Sequence, residues 1–229
     1  MVQYITQRYE RVQTMMYRIF GWMATGLTVT AGVSYYVFTN DVIFQAIKNN
    51  PGFAMGMIVA QLVLVMILSL AIFQLSYPVA MSLFILYSVL TGVTLSSIFV
   101  VYTLPSIAAT FFVAAGMFAA MALYGAYTKA DLTSAGTYLR MGLFGLLLAL
   151  LVNMFLQNPL FDLLVSAVAV VLFAGLTAYD VQKFKQIAAQ VDDEDLEGNL
   201  AIIGALQLYL DFLNIFLHLL RFMGQRNRG

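Results

Sequence analysis

The sequence predicts an all-α integral membrane protein of seven transmembrane helices, with a central seventh helix surrounded by the other six. Three observations point there. Of the 229 residues, 62% are hydrophobic and only 10% charged, where a soluble domain carries roughly 25% charged residues. Apolar runs of about 20 residues, long enough to cross a bilayer at 1.5 Å rise per residue, recur from end to end. The last run carries its polar side chains on one helical face, which asks for protein or water on that side rather than lipid.

The runs form a single transmembrane domain, residues 1–229, with spans at about 19–38, 52–73, 78–101, 105–127, 138–156, 159–180 and 200–222. The first follows Arg8, Arg11 and Arg18 and exceeds the apolar core of a signal peptide, with no small-x-small cleavage site after it. The second opens at Asn49-Asn50-Pro51, the third at Pro78 and the fourth at Pro105, since proline suits the first helical turn. A polar link, Thr128 to Ser134, precedes the fifth. Asn158-Pro159 opens the sixth, and a hydrophilic loop from Gln182 to Asn199 separates it from the seventh.

Net charge is zero and no basic tract suggests nucleic acid, so the expected surroundings are the lipid bilayer. Cysteine is absent, which excludes disulfides and thiolate metal sites. With the N-terminus in the cytoplasm, Arg8, Arg11, Arg18, Lys129, Arg140, Lys183 and Lys185 lie inside, and Lys48, Arg221, Arg226 and Arg228 outside. The positive-inside tendency favours that orientation. A re-entrant seventh run would instead keep the three C-terminal arginines inside.

In the seventh run, Gln207, Asp211, Asn214, His218 and Arg221 follow one another at helical three- and four-residue steps and share a face. For Gln207 and Asn214 the plain alternative to an ion path is interhelical hydrogen bonding. Asp211 differs, because a carboxylate at a span centre costs roughly 2.5–3.5 kcal/mol on insertion scales and such residues mark ion or proton pathways. His218, the only histidine, is a pH-responsive candidate or simply a hydrogen-bonded residue near a helix end.

Asp180 closes the sixth run. Brought together at low dielectric, two carboxylates share a proton and titrate as a unit. Such a pair is a proton-sensitive latch: with the proton shared it ties two helices together, and fully ionised it repels or takes a cation. Oxygen ligands favour calcium, magnesium or protons over zinc, so Asp180 and Asp211 are also candidate contacts for one of these cations, calcium among them. Contact requires the sixth helix to continue past Asp180 or the seventh to start late, and the alternative for Asp180 is a solvated carboxylate beside Lys183 and Lys185. The acidic run Asp192-Asp193-Glu194-Asp195 with Glu197 lacks the alternating ligands of an EF-hand and reads as a solvated loop. Gln61, Gln74 and Asn153 are buried-polar candidates, either cavity lining or interhelical contacts.

The link Lys129-Ala130-Asp131-Leu132 followed by Gly136, the Ala178-Tyr179-Asp180 end of the sixth span, and the stretch from Leu208 through Asp211 to Phe216 (LYLDFLNIF) carry a resemblance. On these the chain resembles a bacterial member of the transmembrane Bax inhibitor motif family, from about Arg11 to Arg221. The resemblance implies a multi-pass protein of the bacterial inner (plasma) membrane and a pH-dependent calcium leak channel. A di-aspartyl pH sensor would fall on Asp180 and Asp211. It also implies an arginine on the second span that takes over the sixth-helix aspartate in an open state. Here that place falls at or near Gln74, with no basic residue between Lys48 and Lys129, leaving Arg18 or Arg140 as substitutes. No cofactor is expected beyond calcium as the ion moved or sensed, and no enzymatic activity. The alternatives are a regulator that binds a membrane-embedded ATP-dependent protease and, more remotely, an intramembrane aspartyl protease, against which Leu208-Tyr209-Leu210-Asp211 lacks the Gly-x-Gly-Asp signature.

Overall fold

A computed structural model describes residues 2–191 and 194–227. The helices are α1 (Val2–Thr39), α2 (Asp41–Lys48), α3 (Pro51–Leu70), α4 (Tyr77–Leu95), α5 (Ile98–Val101), α6 (Leu104–Tyr127), α7 (Thr133–Leu156), α8 (Pro159–Ala188) and α9 (Glu194–Met223), with a 3₁₀ turn at Ile72–Gln74 after α3. Among the described residues no strand occurs beyond an isolated antiparallel bridge between Tyr102 and Arg226. Among the described residues six helices are long and apolar enough to cross a membrane: α3, α4 with α5, α6, α7, α8 and α9. The chain is therefore a multi-pass membrane protein. The first apolar run lies inside the 38-residue α1, where Thr, Gly and Tyr dilute the hydropathy below that of the six.

Local chemistry accounts for most helix starts. All four prolines stand in a first turn, of α3, α4, α6 and α8, where the missing N–H costs no helical bond. Asparagine side chains accept the orphan amides alongside them: Asn40 from Ile43, Asn50 from Phe53, and Asn158 from Leu160 and Phe161. The third predicted span is interrupted after Leu95, where the Ser96 and Ser97 hydroxyls donate to the carbonyls of Val93 and Thr94 and compete with the helical ladder.

The expected hydrophilic loop from Gln182 to Asn199 is corrected. α8 runs on to Ala188 and α9 begins at Glu194. Its Lys, Gln, Ala and Glu residues are good helix formers, so the end of apolar sequence marks the edge of the bilayer rather than the end of the helix. Asp192 and Asp193 of the acidic run lie outside the described residues, as do Met1, Arg228 and Gly229. α9 is unbroken for 30 residues, with no turn at which the chain would re-enter.

The helices sort into two compact units, Met1–Val101 with Ala188–Tyr209, and Tyr102–Ile187 with Leu210–Gly229. In the first, α1 lies tight on α4 because of Gly92, where a Cβ would come within 2.7 Å of the Thr30 carbonyl oxygen. Buried Tyr209 anchors this unit, its hydroxyl 2.6 Å from that of Thr30 and its ring edge-on to Phe84 and Tyr87. Asn199 donates to the carbonyls of Ile72 and Leu75, holding the turn between α3 and α4. In the second unit α6 meets α8 at Gly125, where a Cβ would collide with the backbone of Ala178. Phe111 and Phe118 of α6 meet Phe212 edge-on, and Phe111 also meets Phe216.

Candidate functional site

The second unit holds both candidate carboxylates. Because α8 continues two turns beyond Asp180, that residue lies within the helix, 9% exposed, and Asp211 on α9 is 5% exposed. The charge of Asp180 acts on Asp211, as does that of Lys183, so the two spans bring their acids within electrostatic reach of each other. Asp211 Oδ2 is buried with no hydrogen-bond partner. An unsatisfied buried polar atom costs about 1–3 kcal/mol, an expense that marks positions kept for something other than packing. Asp180 is not the solvated interface residue that its lysine neighbours suggested.

Two cations attend the pair. Lys183, one turn on from Asp180, places Nζ 3.9 Å from Asp180 Oδ1. Arg140 of α7 also acts electrostatically on Asp180, while its guanidinium lies over the Tyr179 ring at 5.4 Å and its Nε donates to the Gly136 carbonyl at 3.2 Å. Arg18, the other proposed substitute, is engaged in the first unit, 3.6 Å from Glu197. Among the described residues no three His, Asp or Glu side chains gather as a metal site. Calcium prefers six to eight oxygens, more than two carboxylates supply.

The link between α6 and α7 is held over this end of α8. Gln182 accepts from the Leu132 amide at 2.8 Å and donates to the Ala130 carbonyl at 2.8 Å, and Lys185 donates to the Ala126 carbonyl at 2.6 Å. Asp131 in the link accepts from both the hydroxyl and the amide of Thr133, at 2.6 and 2.9 Å, which holds its carboxyl below the ordinary value. Sequence reasoning set Gln182 in a presumed loop and named Lys185 only as a charge beside Asp180. Once α8 is carried past Asp180, their helical spacing from Ala178 puts them on one face with it.

The other stripe residues disperse. Gln207 belongs to the first unit and is half-buried. Asn214 donates to the Leu210 carbonyl of its own helix at 2.8 Å, so it does not bond across helices through that amide. His218 is buried, with Nδ1 3.3 Å from Ser166 Oγ and its ring stacked on Phe173. Arg221 pairs with Asp162 at 3.0 Å, and Asn153 donates to the same Asp162 oxygen at 3.2 Å. Gln61 donates to Thr94 Oγ1 at 3.0 Å and ties α3 to α4. Gln74 is corrected: it is exposed on the turn after α3, because the helix stops at Leu70, short of the predicted 73.

Comparison with known proteins finds a family and relatives along nearly the whole chain. The family described as Inhibitor of apoptosis-promoting Bax1 matches residues 12–228. The chain is 48% identical over 224 residues to the inner membrane protein YbhL of Escherichia coli, covering 97% of this chain and 96% of that one. It is 46% identical over 210 residues to an uncharacterized protein of Borreliella burgdorferi, covering 91% and 90%. It is 32% identical over 213 residues to an uncharacterized membrane protein of Streptococcus pyogenes, covering 92% of each.

Proposed function

The chain belongs to the Bax inhibitor family, and from that premise we propose that it is a pH-dependent calcium leak channel gated by protonation of Asp180 and Asp211. The observation that carries the reading is the pair itself: buried carboxylates from α8 and α9, one with an unpartnered oxygen. With one proton between them the pair joins α8 to α9. When both are ionised, repulsion in a low dielectric drives them apart or draws in a cation. Lys183 and Arg140 are the charges available to receive Asp180 as the pair separates, which replaces the second-span arginine that this chain lacks.

Seven crossings and a central last helix are part of this reading. They are supported by the 38-residue length of α1 and by the burial of α9, where 78% of the most apolar window is buried against 6% for α7. An Escherichia coli relative named as an inner membrane protein supports the same membrane here, and the distribution of Lys and Arg supports a cytoplasmic N-terminus.

The test is calcium flux into proteoliposomes across a range of pH. Asp180→Asn and Asp211→Asn should each displace or flatten the pH profile, since either substitution removes one partner of the shared proton. If both variants keep the wild-type profile, the latch is not formed by these residues.

A further inference from the structure

At the end of the second unit remote from Asp180, roughly 27 Å along α8 by helical rise, lies a cavity of about 620 Å³. Its polar lining comes from the end of α7, the link to α8 and its start, the last turn of α9 and the tail after it: Asn153, Gln157, Asn158, Asp162, Arg221 and Arg226. We propose that this cavity binds the headgroup of an aminophospholipid, a phosphodiester carrying a primary ammonium.

The position argues first. Three helices of membrane-spanning length end or begin at the cavity, which puts it at the level where a bilayer carries its phosphates. Leu156, Leu160 and Phe222, each next in sequence to a lining residue, expose 61%, 65% and 55% of their surface and offer acyl chains apolar contact. The lining also carries both signs of charge. Arg226 presents a guanidinium group, whose planar donors match phosphate oxygens, while Arg221 is paired with Asp162 at 3.0 Å. Asp162 supplies a carboxylate to the same space.

Asp162 decides between a plain anion and a zwitterion. Its Oδ1 accepts from Asn153 Nδ2 and from Arg221, and its side chain is still 31% exposed, so the carboxylate can take an ammonium from the cavity while the phosphate rests on Arg226. The tail is held just before Arg226: the Thr103 amide donates to the Gln225 carbonyl at 3.0 Å and the Gln225 amide donates to Ser106 Oγ at 2.8 Å.

Native mass spectrometry of the full chain, released from nanodiscs containing phosphatidylethanolamine, phosphatidylcholine and phosphatidylglycerol in equal parts, tests the assignment. Wild type should retain phosphatidylethanolamine over the other two by about tenfold, the worth of one charge-assisted contact. Asp162→Asn should abolish the preference over phosphatidylcholine, whose quaternary ammonium has no N–H to donate. Arg226→Gln, a change at an exposed side chain, should lower retention of all three. Competition by soluble glycerophosphoethanolamine as strong as that by the lipid would reassign the cavity to a free phosphodiester and overturn the lipid. Equal retention of the three lipids, or a preference for phosphatidylglycerol, would overturn the zwitterionic site.

Discussion

Single atoms decide most of what is chemical here. Asp211 Oδ2 is enclosed and unpartnered, so Asp211 is a position where stability is given up. Asp211→Asn, which keeps the shape and removes the charge, should hold or raise the unfolding temperature in detergent at neutral pH while it disturbs the flux profile; a clear drop in thermal stability would identify Asp211 as a packing residue instead. Arg140 acts on Asp180 from α7, and Arg140→Gln should shift the pH profile of flux in the same assay without removing flux, whereas no shift would leave Lys183 as the attendant cation. Asp131 gives a sign that can be worked out. Its carboxyl is held below the ordinary value, first by the Thr133 hydroxyl and then by the Thr133 amide. A depressed acid stabilises the folded form above its ordinary titration range, and that contribution disappears as the pH falls through its lowered value. Titration of Asp131 followed by NMR should therefore move back up toward the ordinary range in Thr133→Val. Little of this was legible beforehand: Asp180 and Asp211 stand out as acids in apolar sequence, but the cation on α7 and the orphaned oxygen depend on which faces meet.

Elements were legible at their starts and less so at their ends. Proline and asparagine announce where α3 and α8 begin, because the missing N–H and the side-chain acceptor act within one turn. The C-termini of α3 and α8 were misjudged in opposite directions, since apolar content reports bilayer depth and not helical hydrogen bonding. Gln182, placed on a helix by that correction, pairs with two backbone groups of the α6–α7 link. Gln182→Ala should lower stability by about 1–3 kcal/mol, as two bonded backbone groups lose their partner; thermal unfolding in detergent reads this, and an unchanged midpoint would show that water serves the link equally well. Gly125→Ala should cost about as much or more, because the new methyl meets the backbone of Ala178 and α6 has to move off α8.

Across the whole chain, the absence of cysteine makes topology directly testable, since any introduced thiol is unique. With seven crossings and a cytoplasmic N-terminus, Lys129→Cys should be shielded from a membrane-impermeant thiol reagent in intact cells, and Asn49→Cys should react; the reverse pattern would invert the orientation. Membrane residence, the helical class, the family resemblance and the two acids were determined by the sequence alone, because hydropathy and local turn chemistry act over a few residues. Only the tertiary structure decided that Asp180 is buried within a continuing helix, that Lys183 and Arg140 attend it, that Asn214 turns to its own backbone, and that Asn153, Asp162 and Arg221 form a polar cluster at the far end of α8. Arg140 with Asp180 and Arg221 with Asp162 join side chains tens of residues apart, and no pattern within one helix specifies which neighbour its polar face will meet.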